Sequence, residues 1–347
     1  MGRNDISCLG SLLFQKMKKK HKILSEIFAL IIILMFINSI EIFSQDGAKK
    51  SEESPAYQLK FIPPQTIRHV YKMHDSTVVT RTFSDNSTKK YTREVSYYFN
   101  FVMPNPPKDG FMTFEVSVDS LKYKFTEGEA VFEFDSQADN PGALTFEDLV
   151  ATIVPLGNEF NLTYSPYGEV AKIDGERLDF LIDYIRQQKN NPMSDVLINF
   201  AWEEGISLDR FKFIADVKKI ILPAEPIQID SLWETPIDLQ LDYINFFDTL
   251  TTKITKFKDG FFYINGVSNN IQAKNKPAKL YGIKTQLVEV ADTKGEGSYE
   301  LILHNRGFVS KAELKYNLEI GSYIKKEYFK QKIETKTTWE LLKQYRF

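Results

Sequence analysis

The sequence holds one cysteine, Cys8, four histidines, and only 17 glycines and 14 prolines among 347 residues. A single cysteine excludes an intramolecular disulfide framework and any thiolate-rich metal site. So little glycine and proline excludes collagen-like and low-complexity chains. Charge of one sign is also missing, since 44 basic residues face 46 acidic ones. Without a surplus of clustered Lys and Arg there is no electrostatic footprint for a nucleic acid. The longest apolar run, Ile27 to Ile37, is eleven residues, whereas a helix needs about 20 to span a bilayer. A multi-span membrane protein is therefore excluded, and no stable membrane span is expected once a leader is removed.

Chemistry-bearing motifs are equally scarce. His69 and His74 are five apart, a spacing that on a strand points them to opposite faces. Neither they nor His304 lie in a zinc-binding pattern. There is no nucleophile elbow. Gly295-Glu296-Gly297 lacks the later residues of a dinucleotide or phosphate loop and is expected in a hairpin turn. Acidic groups at Glu203-Glu204 and at Asp174, Glu176 and Asp179 are read as helix-capping and solvated side chains. We assign no catalytic, cofactor-binding or metal residues, and expect no cofactor and no enzymatic activity.

What is present begins with an address. Lys16, Lys18, Lys19, Lys20 and Lys22 precede the apolar run, the order of a secretory signal peptide. Residues 1–44 are read as that leader, with Met17 as an alternative start. Cys8 lies ahead of the basic block, so it is not a lipoprotein acylation site. Residues 45–56, polar and rich in turn formers, read as a flexible tether. The expected location is periplasmic or outer-envelope associated in a Gram-negative-type bacterium.

Periodicity then sets the architecture. Val95, Tyr97, Phe99, Phe101 and Met103 alternate with polar or smaller residues, as do Phe114, Val116 and Val118, and later Ala312 to Ile320. Period two makes one apolar face only in a strand. Leu178, Leu181, Ile182 and Ile185 instead follow helical spacing, with Asp174 as the expected N-cap and Ser194 and Ser207 as further caps. The reading is a β-rich α+β fold: antiparallel, curved sheet from two β halves, residues 57–173 and 223–347, around a helical insert over 174–222. Residues 57–347 also fit a single domain.

One internal echo supports two halves. Phe160, Leu162, Tyr164, Gly168, Val170 and Lys172 match Tyr299, Leu301, Leu303, Gly307, Val309 and Lys311 in kind at a constant offset of 139. Each reads as strand, turn, glycine, strand, with the glycine where positive φ costs least.

Asp230-Ser231-Leu232-Trp233, the Leu59-Lys60-Phe61 opening and the run from Tyr164 through Gly168 to Gly175 resemble an uncharacterised family of exported bacterial β-rich envelope proteins. That resemblance implies the same two-half architecture and assigns no catalytic residues. A looser architectural likeness is to periplasmic lipoprotein and lipid carriers, which implies an acyl-chain ligand.

Aromatics are the remaining excess, with 27 Phe, 17 Tyr and 3 Trp. They build either a heavy core or the lining of an apolar cavity. On the second reading Phe99, Phe101, Phe114, Val116, Leu178, Leu181 and Ile182 line a site for a lipid or other apolar small molecule. The leading expectation is thus an exported, non-enzymatic cell-envelope protein with an apolar ligand. Its rivals are a structural or adhesive module with a solid core and, more remotely, a carboxylate-dependent hydrolase.

Overall fold

The computed structural model describes residues 55–139, 147–189, 205–241, 244–274, 280 and 288–346. The leader (1–44) and nearly all of the tether lie outside the described residues. Pro55–Phe347 forms one compact unit.

In chain order the strands are β1 (Ala56–Tyr57), β2 (Ile67–Thr82), β3 (Thr88–Val102), β4 (Met112–Glu127), β5 (Ala130–Asp135), β6 (Glu159–Tyr164), β7 (Val170–Asp174), β8 (Ile227–Gln228), β9 (Leu232–Leu241), β10 (Ile244–Lys258), β11 (Phe261–Ser268), β12 (Gln272–Ala273), β13 (Val288–His304), β14 (Val309–Ile324) and β15 (Glu327–Arg346). The helices are α1 (Glu147–Ile153), α2 (Glu176–Lys189) and α3 (Leu208–Ala215). Thirteen strands form one sheet in the order β12-β10-β11-β13-β14-β15-β2-β3-β4-β6-β7, with β9 beside β10 and β5 beside β4. Among the described residues it is antiparallel and does not close into a barrel. β1 and β8 pair separately.

The expected alternation holds along the strands. In β3, Val95, Tyr97, Phe99 and Phe101 are buried while Asn100 is half-buried. In β14, Ala312, Leu314, Tyr316, Leu318 and Ile320 are buried on one face. β15 lies between β14 and β2, with Trp339 opposite both Ala312 and Met73.

The echo is structural as well as sequential. β6 and β7 pair as Asn161↔Asp174, Leu162↔Ile173, Thr163↔Lys172 and Tyr164↔Val170. β13 and β14 pair as Glu300↔Glu313, Leu301↔Ala312, Ile302↔Lys311 and Leu303↔Val309, with the register slip at the same step. The turn bonds also correspond: Ser165 N–H to Glu169 O and Gly168 N–H to Ser165 O, against His304 N–H to Phe308 O and Gly307 N–H to His304 O. A second echo precedes each hairpin. Lys108-Asp109-Gly110-Phe111 and Lys258-Asp259-Gly260-Phe261 both turn through Asp at φ 53° and Gly at φ 80°, the left-handed pair that a two-residue hairpin needs.

Three local expectations are corrected. Gly295 and Gly297 lie inside β13, not in a turn; a Cβ at either would press on Asn317 or Tyr316 of the neighbouring strand, so their role is close strand approach. Asp174 ends β7 and pairs with Lys172, leaving Gly175 O to accept the first α2 bond, from Asp179 N–H. Ser207 does precede α3, but its side chain makes no capping bond. The helix expected after Ser194 falls outside the described residues. In the insert, α3 stops at Ala215, and Lys219 soon after takes φ 56°, a conformation no α-helix continues through.

Candidate functional site

Aromatic side chains on the inner face fix the helices by their polar tips. Trp339 Nε1 donates to Ile214 O at 2.9 Å, and Tyr97 Oη donates to Thr152 O at 2.6 Å. Tyr123 Oη donates to Asp148 at 2.6 Å, and Tyr299 Oη donates to Lys218 O. Large rings thus fill volume while their hydroxyl and indole groups satisfy buried acceptors.

The expected cavity-lining residues sit in this packing. Phe99, Phe101, Phe114, Val116 and Leu178 are fully buried. Register places Phe101 opposite Val116 and Phe99 opposite Val118, and the Phe101 and Phe114 rings stack at 4.3 Å. Leu181 and Ile182 are half-buried against the same core. α2 rests on β6, which brings Leu178 to the core that the β3 and β4 residues build.

A cleft of about 290 Å³ opens elsewhere, between α3 with its following segment, the turn at Gly168, and strands β9 and β10. Edge strand β9 carries Pro236, a residue that an interior strand would not accommodate. Val170, Phe213, Ile220, Ile221, Ile237, Leu239 and Phe247 supply apolar wall. Lys212, Lys218, Lys219 and Lys274 with Asp216 and Asp238 supply charge, and Glu169 and Asp209 stand at the rim.

Lys218 and Lys219 are 2% and 7% exposed. Lys218 Nζ donates to Gly168 O at 2.5 Å and Ile220 O at 2.9 Å, and lies 4.6 Å from the Tyr164 ring centre. Lys219 Nζ donates to Phe213 O and, at 3.4 Å, to Lys212 O, so it caps the carbonyl end of α3, where cations are favoured. It is held 4.3 Å from the Phe213 ring and 4.4 Å from that of Trp339. Burial pushes the Lys219 ammonium down to about 7 and Lys218 down as well, against the pull of Asp216. Burial opposes the Asp216 carboxylate, but the charges of Lys218, Lys219 and Lys212 and the Tyr164 hydrogen bond keep it below its ordinary value. Tyr164 Oη donates to Asp216 at 2.8 Å.

Toward the cleft mouth, Asp238 receives Lys212 at 2.5 Å on one oxygen and Lys274 at 2.6 Å on the other. Burial raises Asp238, and these two bonds more than reverse it. Gln240 Nε2 and Asn245 Oδ1, buried atoms of two cleft residues, have no hydrogen-bond partner among the described residues.

Two other hollows differ in character. One of about 30 Å³, room for a water, lies beside Asp75, Arg93 and Arg210; there Arg93 bridges Asp148 at 3.3 Å and Asp75 at 3.7 Å. The other is a polar groove of about 580 Å³ bordered by Arg68, Asn100, Glu115 and Arg177. Among the described residues no group of His, Cys, Asp or Glu is placed to hold a metal, and no helix is long and apolar enough to cross a membrane. Glu176 and Asp179 sit in the first turn of α2, Asp174 ends β7, and Glu203-Glu204 lies outside the described residues. Sequence reasoning misses the cleft lysines, because adjacent lysines read as solvated surface and nothing local marks them as buried.

A family profile described as a family of unknown function, DUF6263, matches residues 109–301, a stretch that contains every residue lining the cleft. No curated protein matches the chain. Among solved structures the chain is similar to one of lipid–protein interactions in lipovitellin, at 8% identity and a TM-score of 0.45, over 83% of this chain and 26% of that one. The chain thus spans about a quarter of that lipovitellin chain. It is also similar to OpdQ of Pseudomonas aeruginosa, at 7% identity and TM-score 0.19, over 78% of this chain and 98% of that. A third likeness is to the translocator domain of the autotransporter NalP from Neisseria meningitidis, at 9% identity and TM-score 0.20, over 82% and 89%.

Proposed function

Starting from the fact that this chain belongs to the family of unknown function DUF6263, we propose that it is an exported, non-enzymatic cell-envelope protein of a bacterium that holds an amphiphilic ligand such as a lipid in the cleft beside α3. The observation carrying this reading is the cleft itself: about 290 Å³, with an apolar wall that includes Val170, Phe213 and Leu239 and a charged side that includes Lys212, Lys274 and Asp238. That combination is the usual make-up of a small-molecule site. Export is supported by the basic block and short apolar run at the N-terminus.

The ligand position differs from the one expected from sequence. Phe101 and Phe114 stack on one another and Val116 borders the polar groove, whereas the cleft proposed here lies by Val170, Phe213 and Leu239.

Titration of the purified chain with a fluorescent fatty acid tests the reading. Saturable binding of one molecule per chain is expected, with loss of at least about tenfold in affinity, or about 1.4 kcal/mol, when Val170→Trp fills the cleft and circular dichroism stays unchanged. Absence of uptake, with a bare polypeptide recovered from its own host, would favour the structural or adhesive reading.

A further inference from the structure

The charged side chains of the cleft are unevenly engaged. Lys212, Lys218 and Lys219 stand with Asp216 and Asp238 among the buried and half-buried lining residues, and Lys274 is exposed. Glu169 and Asp209 stand at the rim, where water screens them. The inner pair of lysines is already occupied by carbonyl oxygens. The outer pair is not: Lys212 and Lys274 each place one ammonium donor on a different oxygen of Asp238, and an ammonium has three donors.

Asp238 therefore draws two cations together while neutralising only one of them. Their side chains keep 29% and 33% exposure, enough for a ligand to reach. Beside them, the buried donor Gln240 Nε2 has no partner among the described residues. Each of the two ammonium groups thus keeps donors that a bound anion can take.

We infer that the cleft recognises an anionic head group, a carboxylate or phosphate monoester, gripped between Lys212 and Lys274 with the apolar tail along Val170, Phe213 and Leu239. This inference rests on the proposed binding role and deepens it by naming the ligand's polar end. Asp238 acts as the positioning residue that keeps both ammonium groups at the mouth.

The test holds the tail constant and changes the head. The full chain is titrated, below each micelle concentration, with dodecyl phosphate, dodecanoate, dodecanol and dodecyltrimethylammonium. Both anions are expected to bind at least about tenfold tighter than dodecanol, the cation more weakly still, and the anion preference should shrink as salt rises. The variant Lys212→Gln/Lys274→Gln should erase that preference, so that both anions fall to within about twofold of dodecanol on the same variant; Lys274→Gln alone should remove part of it and serves if the double variant melts early. Equal affinities for the four heads would overturn the head-group inference and leave the binding role standing. Failure of all four to bind would remove the binding role and this inference with it.

Discussion

Gly168 and Gly307 hold the same φ, +81° and +82°, at the same step of two hairpins, yet only one has a close neighbour at its back. A Cβ on Gly168 meets nothing closer than Lys218 at 3.9 Å, whereas on Gly307 it falls 2.6 Å from Ile62 N and 2.7 Å from Ile62 O. The two positions therefore separate backbone strain from steric overlap. Gly168→Ala is expected to cost about 1–2 kcal/mol from the left-handed conformation alone. Gly307→Ala should cost about 3 kcal/mol or more, because the opening segment must also move. Urea unfolding of both variants measures this, and equal losses would refute the role given to Ile62.

Lys219 makes stability depend on alkaline pH. Its folded value is about 7 against roughly 10.4 in an unfolded chain, so the unfolded state holds the proton more tightly. The resulting penalty is complete below pH 7 and shrinks as pH rises toward the unfolded value. Lys218 adds in the same direction. Stability should thus climb between pH 7 and about 9.5, short of tyrosine ionisation near 10. In Lys219→Met the climb should be visibly flatter in urea midpoints taken across that range; an unchanged slope would assign the effect elsewhere.

Glu313 has the opposite sign. It is 5% exposed and lies near three ammonium groups, with Lys311 at 3.0 Å, Lys315 at 2.5 Å and Lys336 at 3.4 Å. Burial raises the carboxyl, but the bonds from Lys315 and Lys311 bring it from 4.5 down to about 2. Its contribution should be whole above the ordinary glutamate value and vanish as pH falls through the folded one. Thermal melts of Glu313→Gln across that acid range should lose less stability than the parent does; parallel losses would deny the carboxylate this role.

Trp339 links the last strand to α3. Its ring is fully buried, and the Nε1–H bond to Ile214 O satisfies a carbonyl near the helix end. Trp339→Phe keeps a ring but orphans that oxygen, for an expected loss of about 1–3 kcal/mol. Hydrogen exchange should accelerate in α3 more than in β2 or β14; uniform acceleration would mean the indole bond is not what holds the helix.

The strands are readable because alternation is a local property. Tyr97, Phe99 and Phe101 declare their shared face without reference to anything distant, and the hairpin glycines declare their turns through φ. α1 leaves no such mark: Glu147–Ile153 is seven residues, too short for a stripe, and Tyr97 and Tyr123 hold it through Thr152 and Asp148. Asp174 reads as a cap by residue type, yet it completes β7 and the backbone of Gly175 opens the helix instead. The echo between Lys108 to Phe111 and Lys258 to Phe261 is present in the letters too, but four residues gain meaning only once both segments share the same left-handed turn.

Composition and periodicity are sufficient by themselves to indicate an antiparallel β-rich chain, because two-residue alternation and left-handed glycines act over a few bonds. Where the open space lies, and what charge faces it, is settled only in three dimensions. Lys212 of α3 and Lys274, just beyond β12, share Asp238 across a strand edge, and Lys219 is enclosed by a tryptophan of the last strand. Burial and pairing at such separations are products of packing, which no short stretch of sequence encodes.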